Sequence, residues 1–77
     1  MIVYGSRQCP DTMACLASLT ESGTPHTFRD IADLAALKEF LQYRDSVSLF
    51  ESVKANGGVG IPFIVLDNGQ FTFDWTE

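Results

Sequence analysis

The short run Cys9-Pro10-Asp11-Thr12 has the residue types and spacing of a reactive thiol site. Pro10 suits the first position of a helix, because the backbone N–H that proline lacks would have no partner there. Cys9 then caps the helix, where free N–H groups and the positive end of the helix dipole favour an anion. We therefore expect the pKa of Cys9 to be lowered toward a reactive thiolate.

Neighbouring side chains are expected to adjust this thiol. Thr12 can donate a hydroxyl hydrogen bond to the sulfur, whereas the carboxylate of Asp11 opposes a nearby thiolate. Arg7, two residues before the cysteine, can offset that negative charge. Cys9, Pro10 and Thr12 are the candidate catalytic residues.

The second cysteine is poorly placed to form a disulfide with the first. Thr12 stands where a dithiol motif would carry its second cysteine, and Cys15 lies six residues after Cys9 on the same helix. Six residues of helix rise about 9 Å, beyond the roughly 7 Å between Cα atoms that a disulfide spans. Cys15 is expected to be a small buried side chain, unless the first turns unwind.

The elements that position the site begin with a βαβ unit. A strand over residues 2–4 precedes a helix from Pro10 to about Ser22, which Gly23 stops. A second strand over residues 26–31 makes a parallel pair with a right-handed crossover. The residues expected to face inward from the helix are Thr12, Cys15, Leu16 and Leu19.

Two further helices and a hairpin follow. Asp33 and Ser46 are the expected N-caps, Pro62 begins a strand over residues 63–66, and Asn68-Gly69 turns the chain into a strand over residues 71–73. The result is an α/β fold with a four-stranded mixed sheet flanked by helices. The residues expected to face inward are Leu34, Leu37, Phe40 and Leu41 in the first helix, and Val47, Phe50 and Val53 in the second.

Size and composition limit the classes of function. The 77 residues form one domain over 1–77, and the net charge of −5, with five scattered Lys and Arg residues, argues against nucleic acid as a partner. Two cysteines are too few for a secreted disulfide scaffold, and their spacing is not that of a zinc site, so we expect no metal. Without a membrane-length apolar run, we expect a cytoplasmic monomer with no membrane partner.

These residues resemble those of the glutaredoxins, small disulfide reductases with the thioredoxin fold. The run Tyr4-Gly5-Ser6-Arg7-Gln8-Cys9-Pro10 is similar to the entry into their active site, and Gly60-Ile61-Pro62-Phe63-Ile64 resembles their cis-proline segment. Cys15 stands where family members often carry a buried alanine, and the strand order is similar. The resemblance implies a thioredoxin-like (glutaredoxin) fold with a Cys-Pro-Asp-Thr active site.

The resemblance also implies a groove for substrate. Pro62 is expected to be cis, with the backbone of Ile61 facing Cys9 and pairing with an extended cysteinyl peptide as an added strand does. Gly60, Ile61 and Pro62 are therefore candidate substrate-binding residues, together with Arg7, which lies close to the family's basic position. The alternative is that Pro62 simply begins an edge strand.

The chain departs from the family where glutathione would bind. Ser6 stands where family members usually carry a basic residue, and no glycine pair precedes Asp74. We also expect the family's C-terminal helix to be absent. The resolving thiol thus has two candidate sources: glutathione, as a co-substrate bound without these family features, and a partner protein.

The favoured function is a thiol-disulfide oxidoreductase that reduces protein or small-molecule mixed disulfides, including glutathionylated proteins, through Cys9 and an external resolving thiol. An iron–sulfur cluster carrier is the first alternative, although Pro10 and Asp11 stiffen the loop and place a negative charge beside an anionic cluster. A redox-silent peptide-binding module is the second, although the Cys9-Pro10 helix start argues for a working thiol.

Overall fold

The structure, a computed structural model, describes residues 1–75. Its elements in chain order are β1 (Ile2–Gly5), α1 (Pro10–Glu21), β2 (Thr27–Asp30), α2 (Leu34–Ser46), a 3₁₀ turn (Ser48–Phe50), α3 (Glu51–Ala55), β3 (Phe63–Val65) and β4 (Phe71–Thr72). The strands form a mixed sheet in the order β2-β1-β3-β4. β1 is parallel to β2 and antiparallel to β3, and β4 is antiparallel to β3. Within the described residues, the predicted four-stranded mixed sheet with flanking helices is confirmed.

The sheet separates two apolar clusters. Alternation along β1 directs Val3 to one face and Tyr4 to the other. On the first face Val3 and Ile64 pack with Cys15 and Leu19 of α1. On the second face the buried residues are all aromatic, namely Tyr4, Phe40, Phe50 and Phe63. Helices thus cover both faces, and the loops at the strand ends are left to carry the site.

The prediction for α1 is confirmed. Cys9 occupies its N-cap with an extended backbone, and Pro10 is the first helical residue. Thr12, Cys15 and Leu19 are the buried residues of the helix, and Leu16 is half-buried against the same cluster. The inward stripe therefore begins with Thr12, directly beneath the thiol loop.

The predicted inward face of α2 is partly wrong. Leu34 is 63% exposed and Leu41 is 41% exposed, whereas Ala36 and Phe40 are buried. The buried stripe continues to the half-buried Tyr43, with the i, i+4, i+7 spacing of a helix face. The packing of α2 on the aromatic cluster therefore uses a different stripe of the helix from the one that leucine spacing predicts.

Ser46 does not begin a new helix, so this prediction is also wrong. α2 continues through Ser46, whose hydroxyl donates to the Gln42 carbonyl at 2.7 Å, four residues earlier. Such a bond satisfies the serine inside a helix and removes its use as a cap. Val47 takes the cap position of the 3₁₀ turn, and Phe50 is buried as expected.

The end of the chain is described only in part. The predicted domain boundary at residue 77 and the expected absence of a C-terminal helix fall partly on residues 76–77, which lie outside the described residues. Among the helices of residues 1–75, none has the length and apolar character needed to cross a bilayer.

Candidate active site

The loop between β1 and α1 presents Cys9 at the carboxyl end of β1. The Cys9 N–H donates to the Ser6 carbonyl at 2.9 Å, and the Met13 N–H donates to the Cys9 carbonyl at 3.1 Å. The Gln8 N–H donates to the Ser6 hydroxyl at 3.1 Å. The cysteine backbone is therefore fixed on both sides, while its side chain is only half-buried. This combination leaves the sulfur in a defined position and open to a reactant.

The environment of Cys9 lowers its pKa, as predicted. Burial raises the pKa, but the N–H and hydroxyl of Thr12 and the N–H of Asp11 together outweigh burial. The Asp11 carboxylate opposes the shift. The sulfur makes no regular N-cap hydrogen bond, so the N–H groups act on it mainly as oriented dipoles. The net effect favours the thiolate.

Thr12 connects the thiol to the strand. Its side chain is fully buried, and its Oγ1 accepts a long hydrogen bond of 3.4 Å from the Ser6 N–H. Because that oxygen accepts from the backbone, its own proton is free to point toward the Cys9 sulfur, where it lowers the pKa of the thiol. Thr12 is therefore the side chain that we expect to stabilise the thiolate.

Gly5 makes room for Thr12, a role that the sequence analysis missed. A Cβ atom at residue 5 would lie 2.6 Å from both Cγ2 and Oγ1 of Thr12. Since real Cβ atoms do not approach so closely, any other residue would displace Thr12 or the end of β1. The signal in the sequence is a glycine at the end of a hydrophobic strand just before the Cys-Pro pair.

Thr12→Val should raise the pKa of Cys9 toward its ordinary value. The valine keeps the buried shape but removes the hydroxyl donor, so at neutral pH we expect alkylation of Cys9 to slow by about threefold. The rate would be measured with iodoacetamide as a function of pH. Thr12→Ser should retain most of the reactivity, and Thr20→Val, at an exposed threonine of α1, should retain all of it. If the pH profile of alkylation were unchanged in Thr12→Val, the Thr12 hydroxyl would not contribute to the lowered pKa of Cys9.

The lowered pKa also links Cys9 to stability. The folded state holds the thiolate better than the unfolded state does. This contribution is therefore fully present above the ordinary thiol pKa and is lost as the pH falls through the lowered folded value.

Cys15 has the character predicted for it. It is fully buried in the cluster beneath α1, both cysteines are free thiols, and burial raises the pKa of Cys15. A protonated, inaccessible thiol is a poor nucleophile. The two cysteines of the chain therefore have opposite chemical character.

Arg7 lies across the β2 side of the site. Its Nη1 donates to the Asp30 carboxylate at 3.0 Å, and its guanidinium stacks on the ring of Phe28, 4.8 Å from the centroid. The charge that we expected to offset Asp11 is thus directed to Asp30 instead. The Arg7 side chain is still 66% exposed, so it is available to a bound molecule.

The segment 60–62 lies at the same edge of the sheet as the thiol loop. In the antiparallel pair of β1 and β3, the pairing ends with Tyr4 opposite Phe63, so the chain after β1 and the segment before β3 lie at the same end of the sheet. The predicted cis peptide bond between Ile61 and Pro62 is present. Cys9, Pro10 and Thr12 thus form one cluster, and the candidate substrate-binding segment lies at the adjoining strand end.

Arg44 is a further residue of this region, and nothing in the sequence marked it as functional. Its Nη2 donates to the Gly58 carbonyl at 2.6 Å, and its Nε donates to the Val59 carbonyl at 3.0 Å. Arg44 therefore holds the chain just ahead of Gly60. No pattern in the sequence predicts this contact, because it depends on where α2 ends relative to a glycine-rich loop.

Three further side chains, which could also contribute to a site, have structural partners. His26 Nδ1 lies 2.8 Å from the Thr24 carbonyl at the start of β2, and the Tyr4 hydroxyl donates to Glu39 Oε1 at 2.9 Å. Trp75 packs against the cluster beneath α1. Within residues 1–75 there is no group of three or more His, Cys, Asp or Glu side chains placed to hold a metal ion.

Comparison with known proteins identifies one relative over almost the full chain. An uncharacterized protein of Haemophilus influenzae is 38% identical over 77 residues, which cover 99% of this chain and 90% of the relative. No model of a known protein family matches the chain. No solved structure matches it either.

Proposed function

This chain belongs to the same family as the uncharacterized Haemophilus influenzae protein, and from its site we propose that it is a glutaredoxin-like thiol-disulfide oxidoreductase acting through Cys9. The observation that carries the proposal is the state of that thiol. Cys9 is half-buried at a helix N-cap, and its surroundings lower its pKa. A thiolate that is both stabilised and accessible is what disulfide exchange requires.

The reaction proceeds in two displacements. The Cys9 thiolate attacks one sulfur of a mixed disulfide, forms a new disulfide with it and releases the other sulfur as a thiolate. A thiolate from outside the protein then attacks the substrate-derived sulfur of this intermediate, forms a disulfide with it and releases Cys9 as a thiolate. One external thiol is consumed for each disulfide: with a glutathionylated protein and glutathione, the products are the free protein thiol and glutathione disulfide, and Cys9 returns unchanged.

The resolving thiol is proposed to be external because Cys15 is fully buried in the apolar cluster. To reach Cys9 it would have to leave that cluster. Glutathione and a partner protein are the two candidate sources, and the substrates proposed are protein disulfides or glutathionylated proteins.

We also propose that the fold is thioredoxin-like. The mixed sheet, with a βαβ unit, intervening helices and a final ββ hairpin, is compatible with that arrangement. The thiol loop and the segment 60–62 at adjoining strand ends support the same assignment.

The test is reduction of a glutathionylated peptide by glutathione in the presence of the protein. We expect turnover by the wild-type chain and undiminished turnover by Cys15→Ala, because the buried thiol takes no part. Turnover that is lost in Cys15→Ala, while the variant remains folded, would contradict the one-cysteine mechanism. Absence of turnover with glutathione, together with rapid formation of a Cys9 mixed disulfide, would favour a partner protein over glutathione as the reductant.

A further inference from the structure

The loop that precedes Pro62 is held by side chains and backbone groups of two helices. The Gly58 N–H donates to the Val53 carbonyl at 2.8 Å, and the Gly58 and Val59 carbonyls accept from the Arg44 guanidinium. Gly58 is therefore bound on one side to α3 and on the other to α2. Three consecutive residues, 58–60, include two glycines, so the loop has few side chains of its own with which to hold its conformation.

The contact with Arg44 fixes direction as well as position. The planar guanidinium donates through Nε and Nη2 to two successive carbonyls, and this fork geometry constrains both peptide groups together. Bonds from a charged donor are also stronger than those between neutral groups. A lysine in the same place would present one ammonium centre and could not reproduce the pair.

The chain continues from this contact directly into the proposed substrate-binding segment. Gly60 follows Val59 and lies against the ring of Phe50, and Ile61 and Pro62 lead directly into β3. An error in the orientation of the Val59 carbonyl would pass to the next peptide groups, which are those that an extended substrate would pair with. The hydrogen bonds that fix the thiol loop join Ser6, Cys9, Thr12 and Met13 to one another and do not involve Arg44.

We propose that Arg44 is a positioning residue for substrate, which orients the backbone of residues 59–61 so that it can bind an extended cysteinyl peptide beside Cys9. This inference depends on the proposed thiol exchange at Cys9. Arg44 does not touch the reacting sulfur and does not set its reactivity. Its loss should therefore affect only substrates that have a backbone to bind.

Two chromogenic disulfides with the same leaving group test this. One is an extended peptide with a central cysteine joined to thionitrobenzoate, and the other is mercaptoethanol joined to thionitrobenzoate. Attack by the Cys9 thiolate on the peptide or mercaptoethanol sulfur releases coloured thionitrobenzoate, so one turnover is seen without any reductant. The wild-type protein should react faster with the peptide probe than with the small one.

Arg44→Met removes the donors while keeping an unbranched stem. It should slow the peptide reaction by about tenfold and leave the mercaptoethanol reaction and Cys9 alkylation unchanged. The peptide rate of Arg44→Lys should lie between those of the wild type and Arg44→Met. Arg44→Lys is the variant to compare if Arg44→Met does not fold. Lys38→Met, at an exposed lysine earlier in α2, makes the same change of charge outside the loop and should react with both probes as the wild type does.

Other outcomes overturn the proposal in distinguishable ways. Equal slowing of both probes in Arg44→Met would show a general structural role. An unchanged peptide rate, or a wild-type protein that does not favour the peptide, would show that the loop does not bind substrate backbone. If wild-type Cys9 reacted with neither probe faster than an ordinary free thiol, the proposed exchange function itself would fail, and this inference with it.

Discussion

Cys9→Ser should reduce disulfide exchange to the rate of the buffer alone. The serine hydroxyl cannot form the covalent disulfide on which both displacements depend, and its oxygen is protonated at neutral pH. Reduction of a glutathionylated peptide by glutathione would be followed with the variant and the wild type at equal concentration. We expect no release of peptide thiol above the uncatalysed rate.

Cys15→Ala is the matched control for this loss. It removes the other thiol, replaces a small buried side chain by a smaller one and leaves the thiol loop unchanged. Exchange that survived in Cys9→Ser and disappeared in Cys15→Ala would reverse the assigned roles. Peptide binding that persisted in Cys9→Ala, in a protein with no exchange activity, would instead support the redox-silent peptide-binding module.

Gly60→Ala should be among the most destabilising single substitutions outside the aromatic cluster. The residue has a φ of +94°, and a Cβ atom there would lie 2.7 Å from Cε1 of Phe50. The backbone conformation costs an alanine about 1–2 kcal/mol, and overpacking against a buried ring adds about 1–3 kcal/mol. A loss of about 3 kcal/mol is a large part of the roughly 5 kcal/mol of stability typical of a small domain.

Gly69→Ala separates these two causes. Gly69 also has a positive φ, of +84°, but a Cβ atom there would have no neighbour within 4 Å. It should therefore lose only the backbone part, about 1–2 kcal/mol. The free energies of unfolding would be measured in urea. Equal losses of unfolding free energy in the two variants would show that a steric clash with Phe50 does not contribute at residue 60.

Local patterns were sufficient to predict the thiol loop. The Cys-Pro pair, the helical spacing of Thr12, Cys15 and Leu19, and the stop at Gly23 all lie within one helix and the residues that flank it, so short-range rules apply. The structure places Cys9 at the cap and buries Cys15, as expected. The Asn68-Gly69 turn was also predicted from local residues, because Gly69 has the positive φ that the short loop between β3 and β4 requires.

Most of the failed predictions concern contacts between elements. Apolar spacing placed Leu34 and Leu41 on the inward face of α2, but packing against the rest of the fold buries Ala36 and Phe40 instead of those two leucines. Ser46 is a failure within one helix. Serine is a common N-cap, but here its hydroxyl donates to the Gln42 carbonyl inside α2, and its residue type alone does not distinguish the two roles. Gly5 was missed because its reason lies across space, in the side chain of Thr12.

Arg44 and Arg7 show the same limit for charged side chains. Sequence position placed Arg7 close to Asp11, but the parallel pairing of β1 and β2 brings Asp30 within reach instead. Arg44 pairs with backbone carbonyls 14 and 15 residues away. Long side chains select partners across the fold, and neither spacing nor charge pattern identifies those partners.

The most direct test of the central claim is the pH dependence of alkylation at each cysteine. The folded protein would be treated with a small excess of iodoacetamide across a range of pH, and Cys9 and Cys15 would be quantified separately by peptide mass spectrometry. We predict that Cys9 reacts with a midpoint below the ordinary thiol pKa, while Cys15 stays unmodified until the protein is unfolded in urea. Equal rates for the two cysteines, or an ordinary midpoint for Cys9, would contradict the assignment of Cys9 as the nucleophile.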